Sequence, residues 1–239
     1  MTSSSSNAGQ PLVLIPGLAC DALLWSPQVQ GLADVADAWV AEVTGHDAVD
    51  AMAQAVLRAC PFEQFSLAGL SMGGYVAQRV VALAPQRVRR LALLDTNALA
   101  DSPQATASRQ ALMQQAPAQG MAWVADQLFA RLVWPQAPRL APLRALVRTM
   151  ARNVGLDAFL RQQRAIIGRP DQREALARVA CPTLVACGAQ DVLTPPALHE
   201  EMARLAPGAE LVLVPDSGHL STLEQPEAVN AALRRWLAR

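Results

Sequence analysis

The sequence contains no lysine. All twenty basic side chains are arginine, and twenty Asp and Glu balance them to a formal net charge of zero. That balance gives no support for nucleic acid or an anionic membrane as partner. No run of eighteen uncharged apolar residues occurs, which excludes a transmembrane helix. The first ten residues, MTSSSSNAGQ, lack both a basic start and an apolar run, so they do not read as a secretory signal. They read as a short disordered tail over residues 1–10. Cysteine is sparse: Cys20, Cys60, Cys181 and Cys187, with no Cys-x-x-Cys. Cys181 and Cys187 fall at opposite ends of one expected strand, too far apart to bridge. Reduced thiols in a cytoplasmic protein are the expectation.

What the chain does have is apolar mass. Hydrophobic residues make up 52% of its 239 positions, enough for one large domain or one domain with an insertion. Short apolar runs suggest strands at Leu12–Ile15, Ala38–Val43, Phe65–Ala68, Leu91–Leu94, Thr183–Ala186 and Leu211–Val214. Helical patterns lie at Met52–Cys60, Met72–Ala84, Pro196–Leu205 and Pro226–Leu237. The alternation predicts an α/β fold around a mostly parallel, doubly wound sheet of about six strands. The rhythm breaks between residues 100 and 179. Helical patches there are separated by Pro103, Pro117, Pro135, Pro138, Pro142, Gly155 and Pro170. The expected organisation is a core of residues 11–99 and 180–239 with a helical insertion at 100–179.

The central chemical signal is Gly69-Leu70-Ser71-Met72-Gly73, placed after an expected strand and before an expected helix. A serine nucleophile gains from a sharp strand-to-helix turn that lifts its hydroxyl clear of the backbone. Crowding at that turn demands small residues on either side. Gly74 adds one more small residue for close packing of helix on sheet. The helix N-terminus favours the negative charge that develops in acyl transfer.

Three histidines are available as base. His199 lies within an expected helix beside Glu200 and Glu201 and reads as solvated. His46 is in the loop after the second strand. His219, in Pro215-Asp216-Ser217-Gly218-His219-Leu220, follows the last strand. In a parallel sheet the strand C-termini share one edge, so His219 and Ser71 are expected together there. A carboxylate must then orient the imidazole. Asp191, just past the fifth strand, is favoured, and Asp95, just past the fourth, is its rival. Asp216 is read as a turn residue. The oxyanion hole is expected from the backbone N–H groups of Met72 and Leu18.

With these residues placed, the chain resembles the α/β-hydrolase family from about Leu12 to Leu237. The match rests on Leu14-Ile15-Pro16-Gly17, the Gly69–Gly73 turn, Gly188-Ala-Gln-Asp191-Val-Leu-Thr-Pro195, and Ser217-Gly218-His219-Leu220. The order Ser, Asp, His is also the family's. Most relatives carry His-Gly where this chain has Pro16-Gly17. The family's usual leading antiparallel strand pair has no room here. The resemblance implies that the first strand is central, with the second outside it, and that the insertion is a lid over the serine.

The lid, residues 101–178, carries eleven Arg against five Asp and Glu, a net of +6. Arg144, Arg148 and Arg152 fall on one helical stripe opposite Leu143, Leu146, Val147 and Met150, as in an amphipathic helix with a solvated face. Trp123, Phe129, Trp134 and Phe159 are candidates to line an acyl pocket or to pack the lid. The function implied is hydrolysis of a small ester or lactone through an acyl-enzyme, acting on a small-molecule substrate with no metal or organic cofactor. The resemblance leaves open carbon–carbon bond hydrolysis, acyl transfer and perhydrolysis by the same triad, and a non-catalytic ligand-binding role.

Overall fold

The computed structural model describes residues 9–239. Most of the expected N-terminal tail therefore lies outside the described residues, and Gln10 already belongs to a strand. Among the described residues there are six strands: β1 Gln10–Ile15, β2 Ala36–Val40, β3 Phe65–Leu70, β4 Val88–Leu94, β5 Thr183–Gly188 and β6 Glu210–Val214. They form one sheet in the order β2-β1-β3-β4-β5-β6, and every neighbouring pair is parallel. The direction of winding reverses between β1 and β3, which brings the loops after those strands side by side.

The expected strands sit where the apolar runs lie, with one offset. β2 ends at Val40, three residues before the expected Val43. It is an edge strand, paired only with β1 and mostly half-exposed. The buried Ala41 and Val43 that prolong its apolar pattern pack in the core past the end of the strand.

Helices α1 Ser26–Gly31, α2 Val49–Ala59 and α3 Met72–Leu83 connect the first strands. Between β4 and β5 come α4 Pro103–Leu132, α5 Leu140–Val154, α6 Leu156–Ile167 and the short α7 Arg173–Leu176. Then follow α8 Pro196–Leu205, α9 Ser221–Glu224 and α10 Pro226–Leu237. α4 is broken at Gly120, three residues after Pro117, and α5 turns into α6 at Gly155. Both glycines have φ of 78°.

Alternation along the strands sends side chains into two apolar clusters, one on each face of the sheet. Leu12, Leu14, Leu70 and Leu94 join α10 and the α4–α6 segment, including Trp236, Val124 and Phe159. Val13, Ile15, Leu67 and Leu93 join α2, α3 and α8. Each fully buried Leu or Ile here contributes about 1.5–3 kcal/mol. The loops that leave the C-terminal strand ends carry Ser71, Asp191 and His219. Among the described residues, no helix is long and apolar enough to cross a membrane.

Candidate active site

Ser71 follows β3 directly and caps α3. Its φ is 56° and its ψ −117°, a strained conformation for a residue with a side chain. Neighbouring atoms explain why glycines flank it. A Cβ on Gly69 would lie 2.2 Å from the Gly73 carbonyl oxygen, and one on Gly73 would lie 2.1 Å from that of Ile15. A Cβ on Gly74 would meet the Thr96 side chain at 2.5 Å. Gly17, after β1, runs beside Ser71, with its Cβ position 3.4 Å from the serine Cβ.

The hydroxyl of Ser71 lies 2.8 Å from Nε2 of His219. Nδ1 of the same ring lies 2.7 Å from Oδ2 of Asp191. The second oxygen of Asp191 accepts the N–H groups of Leu193 at 2.8 Å and Thr194 at 3.1 Å, and Oδ2 also accepts the Thr194 hydroxyl at 2.7 Å. The carboxylate is thus held by its own turn while one oxygen faces the imidazole. Burial opposes the charged imidazole, but the Asp191 charge and hydrogen bond outweigh it and hold the His219 pKa above its ordinary value. For Asp191, burial is outweighed in the same way by the His219 charge and by its hydrogen bonds, and its pKa is lowered.

Met72 is the first residue of α3, where a helix leaves its N–H groups free. Leu18 lies in the turn Gly17–Cys20, closed by the Cys20 N–H on the Gly17 carbonyl at 3.2 Å. These are the two backbone groups expected from the sequence to face a developing oxyanion.

The alpha/beta hydrolase family's sequence pattern matches residues 12–232. The chain belongs to that family. This alpha/beta hydrolase is 28% identical over 233 residues to a pimeloyl acyl-carrier-protein methyl ester esterase of Nitrosomonas europaea, covering 92% of each chain. It is 26% identical over 244 residues to an (E)-2-((N-methylformamido)methylene)succinate hydrolase of Acinetobacter baylyi, covering 96% of this chain and 90% of the relative. It superposes on the structure of a thermophilic esterase from Thermogutta terrifontis with a TM-score of 0.87 and 31% identity, covering 97% of this chain and 90% of the other.

One sequence expectation about this hydrolase needs correction. His199 is not solvated. It is fully buried, and its Nε2 accepts the Thr96 N–H at 2.9 Å. Burial lowers its pKa to about 4, so the ring is neutral at physiological pH. Glu200 and Glu201 follow it in sequence but stand about 100° and 200° around the helix. Asp95, the rival to Asp191, is bonded elsewhere. It is buried, with φ of 47°, and accepts the Gly188 N–H at 2.9 Å and the Ser221 N–H at 3.2 Å, along with the Ser221 hydroxyl. It braces the Asp191 loop against the His219 loop without bonding to the imidazole. Burial, with the nearby Asp191 charge, raises its pKa.

Other contributors carry no sequence signal of their own. Glu224, five residues past His219, is buried. It accepts the N–H groups of Gly218 at 3.0 Å, Leu220 at 3.2 Å and Trp134 at 2.8 Å. The His219 N–H in turn donates to the Leu132 carbonyl at 2.9 Å. The end of α4 is therefore fastened to the histidine loop. Thr194, by contrast, carries a local signal: three residues after Asp191, it closes a side-chain turn on that carboxylate.

The four aromatic residues between β4 and β5 separate. Phe159 has 0% exposed surface and Phe129 has 4%, and both pack among apolar side chains. Trp123 and Trp134 keep part of their surface exposed. The backbone of Trp134 also abuts Gly218, whose Cβ position lies 2.8 Å from the Trp134 nitrogen. Arg144, Arg148 and Arg152 are exposed, and Arg148 pairs with Asp126.

Proposed function

We propose that the protein is a serine hydrolase that cleaves small carboxylic esters, lactones included, through an acyl-enzyme intermediate. The observation that carries this reading is the unbroken chain from the Ser71 hydroxyl through His219 to Asp191, behind a serine on a strained strand-to-helix turn. Ser71 attacks the ester carbonyl while Nε2 of His219 takes its proton. The oxygen of the tetrahedral intermediate accepts the N–H groups of Leu18 and Met72. Collapse breaks the ester C–O bond, and His219 returns the proton to the leaving alcohol. A water molecule, deprotonated by the same nitrogen, then attacks the acyl carbon and releases the acid and Ser71. Every proton moves through His219, and Asp191 holds the ring in the tautomer that leaves Nε2 free.

Other bonds suit the same three groups, because fold does not select among them. Ester bonds are favoured by the methyl ester esterase and the thermophilic esterase among the relatives. The test is a panel of p-nitrophenyl esters and small lactones, run with a fluorophosphonate probe. Hydrolysis of panel members and covalent labelling at Ser71 are expected. Labelling without ester or lactone turnover would move the activity to another acyl substrate, and no labelling would remove the activated serine.

The pH dependence follows from the histidine. The base must be neutral to accept the serine proton, and its pKa is raised by Asp191. Turnover should therefore rise with pH through an apparent pKa above the ordinary value of about 6.5. A rate that stays flat from pH 5 to 8 in folded protein, with chemistry limiting, would contradict a histidine base.

The insertion is read as a lid that selects the acyl group. Trp134→Ala and Trp123→Ala should alter the ratio of kcat/KM between short and long acyl chains. A methylene in an apolar pocket is worth about 1–3 kcal/mol of discrimination. Phe159→Ala should instead lower stability by about 3–5 kcal/mol, because the ring is fully buried in the core. An unchanged chain-length profile in both tryptophan variants would remove these residues from the pocket.

A further inference from the structure

The turn that carries Leu18 is not shaped by its own residues alone. Ala19 has φ of 55°, in the left-handed region that glycine favours. With the Cys20-to-Gly17 hydrogen bond, this places a positive φ at the third position of a four-residue turn. That is the pattern of a type II turn, which ordinarily has Gly or Asn there. The commoner type I turn differs mainly by a flip of the central peptide, here the one joining Leu18 to Ala19. An alanine at the third position favours that flip. Something must hold the peptide in the observed orientation.

The acceptor that does so is Oε1 of Gln162, which takes the Ala19 N–H at 2.9 Å. Gln162 lies in α6, 143 residues away in sequence, and is fully buried. Its Nε2 donates to the Val43 carbonyl at 3.2 Å. One end of the amide meets a donor and the other an acceptor, so its orientation is determined. Flipping the Leu18–Ala19 peptide would leave Oε1 without its donor in a buried site, which is unfavourable. The glutamine thereby stabilises the turn that its alanine disfavours.

We propose that Gln162 is a positioning residue for the oxyanion hole: through Ala19 it fixes the peptide next to the Leu18 N–H. The proposal rests on the serine hydrolase reading above. It gives the insertion a part in the chemical step, distinct from the choice of acyl group. Oxyanion stabilisation acts in the transition state, so loss of the positioning should lower kcat and leave KM nearly unchanged.

The experiment compares wild type with Gln162→Met, which keeps the side-chain length and removes both hydrogen bonds. It adds the double variant Gln162→Met/Ala19→Gly and the control Asn153→Ala. Asn153 makes a separate, exposed contact from the insertion to Asp21 in the same loop. Gln162→Met should lower kcat roughly ten- to a hundredfold, less than outright loss of an oxyanion donor. A trifluoromethyl ketone, which forms a tetrahedral adduct on the serine, should bind more weakly by a similar factor. The pH midpoint of the base should not move. Glycine accepts a positive φ without strain, so Ala19→Gly in the Gln162→Met background should restore most of kcat. Asn153→Ala should match wild type. Unchanged kcat in folded Gln162→Met would overturn the proposal, as would a rise in KM alone, or a lower kcat that Ala19→Gly does not restore. Should Gln162→Met fail to fold, the double variant decides alone: near-wild-type kcat supports the proposal, and a low kcat or failure to fold overturns it. Wild type that neither hydrolyses the panel nor labels with fluorophosphonate would instead defeat the serine hydrolase reading itself, before any Gln162 variant is measured.

Discussion

Ser71→Ala is expected to cut turnover by on the order of a thousandfold or more while leaving the fold intact. The side chain is small and not fully buried, and its hydroxyl bonds to the imidazole of His219. Its removal therefore leaves no cavity in the core. Alanine also keeps the same backbone demand at φ of 56°, so the strain of the turn is unchanged. His219→Ala should cost a similar factor, and the double variant should be little worse than either single one, because the two groups act in one step. Rates on a p-nitrophenyl ester, with circular dichroism to verify folding, provide the measurement. Near-normal hydrolysis by folded Ser71→Ala would end the serine-nucleophile reading.

The second large effect separates two carboxylates. In Asp191→Asn, the backbone N–H groups of Leu193 and Thr194, which now bond to Oδ1, should claim the amide oxygen. The amide NH2 then occupies the place of Oδ2 and faces Nδ1 of His219. Two donors cannot share that contact, so the proton moves to Nε2 and the ring can no longer accept from Ser71. Turnover should fall by orders of magnitude, and the remaining activity should lose the upward displacement of its pH midpoint. Asp95→Asn should be much milder, because Asp95 bonds to Gly188 and Ser221 rather than to the imidazole. Its neutral amide also relieves a buried carboxyl whose charged form burial disfavours. Parallel kcat measurements on the two variants decide. A reversed ranking would transfer the orienting role to Asp95 and leave the Ser71–His219 pair in place.

Some of this protein was determined within a few residues of chain. The strand-turn-helix around Ser71 is of that kind: Gly69 and Gly73 are required by contacts with backbone next to the turn, and the apolar period changes from strand to helix across it. The order of the six strands, and of the helices beside them other than α1 and the short α9, was legible for the same reason, since periodicity is a local property. β2 was the exception, because its buried pattern continues into residues that pack beyond the sheet edge. The choice between Asp191 and Asp95 was only inclined, not made, by sequence. Both follow a strand, and what distinguishes them is which loop carries the carboxyl to Nδ1. His199 was misread because charged neighbours in sequence stand on other sides of a helix. Glu224 and Gln162 had no signal at all. Their partners, Trp134 and Ala19, lie 90 and 143 residues away. A buried amide or carboxyl finds such a partner only after the segment between β4 and β5 has packed on the strand ends, and no spacing along the chain encodes that meeting. Tertiary packing therefore decided how the Gly17–Cys20 turn is held and how the histidine loop is fastened to the end of α4.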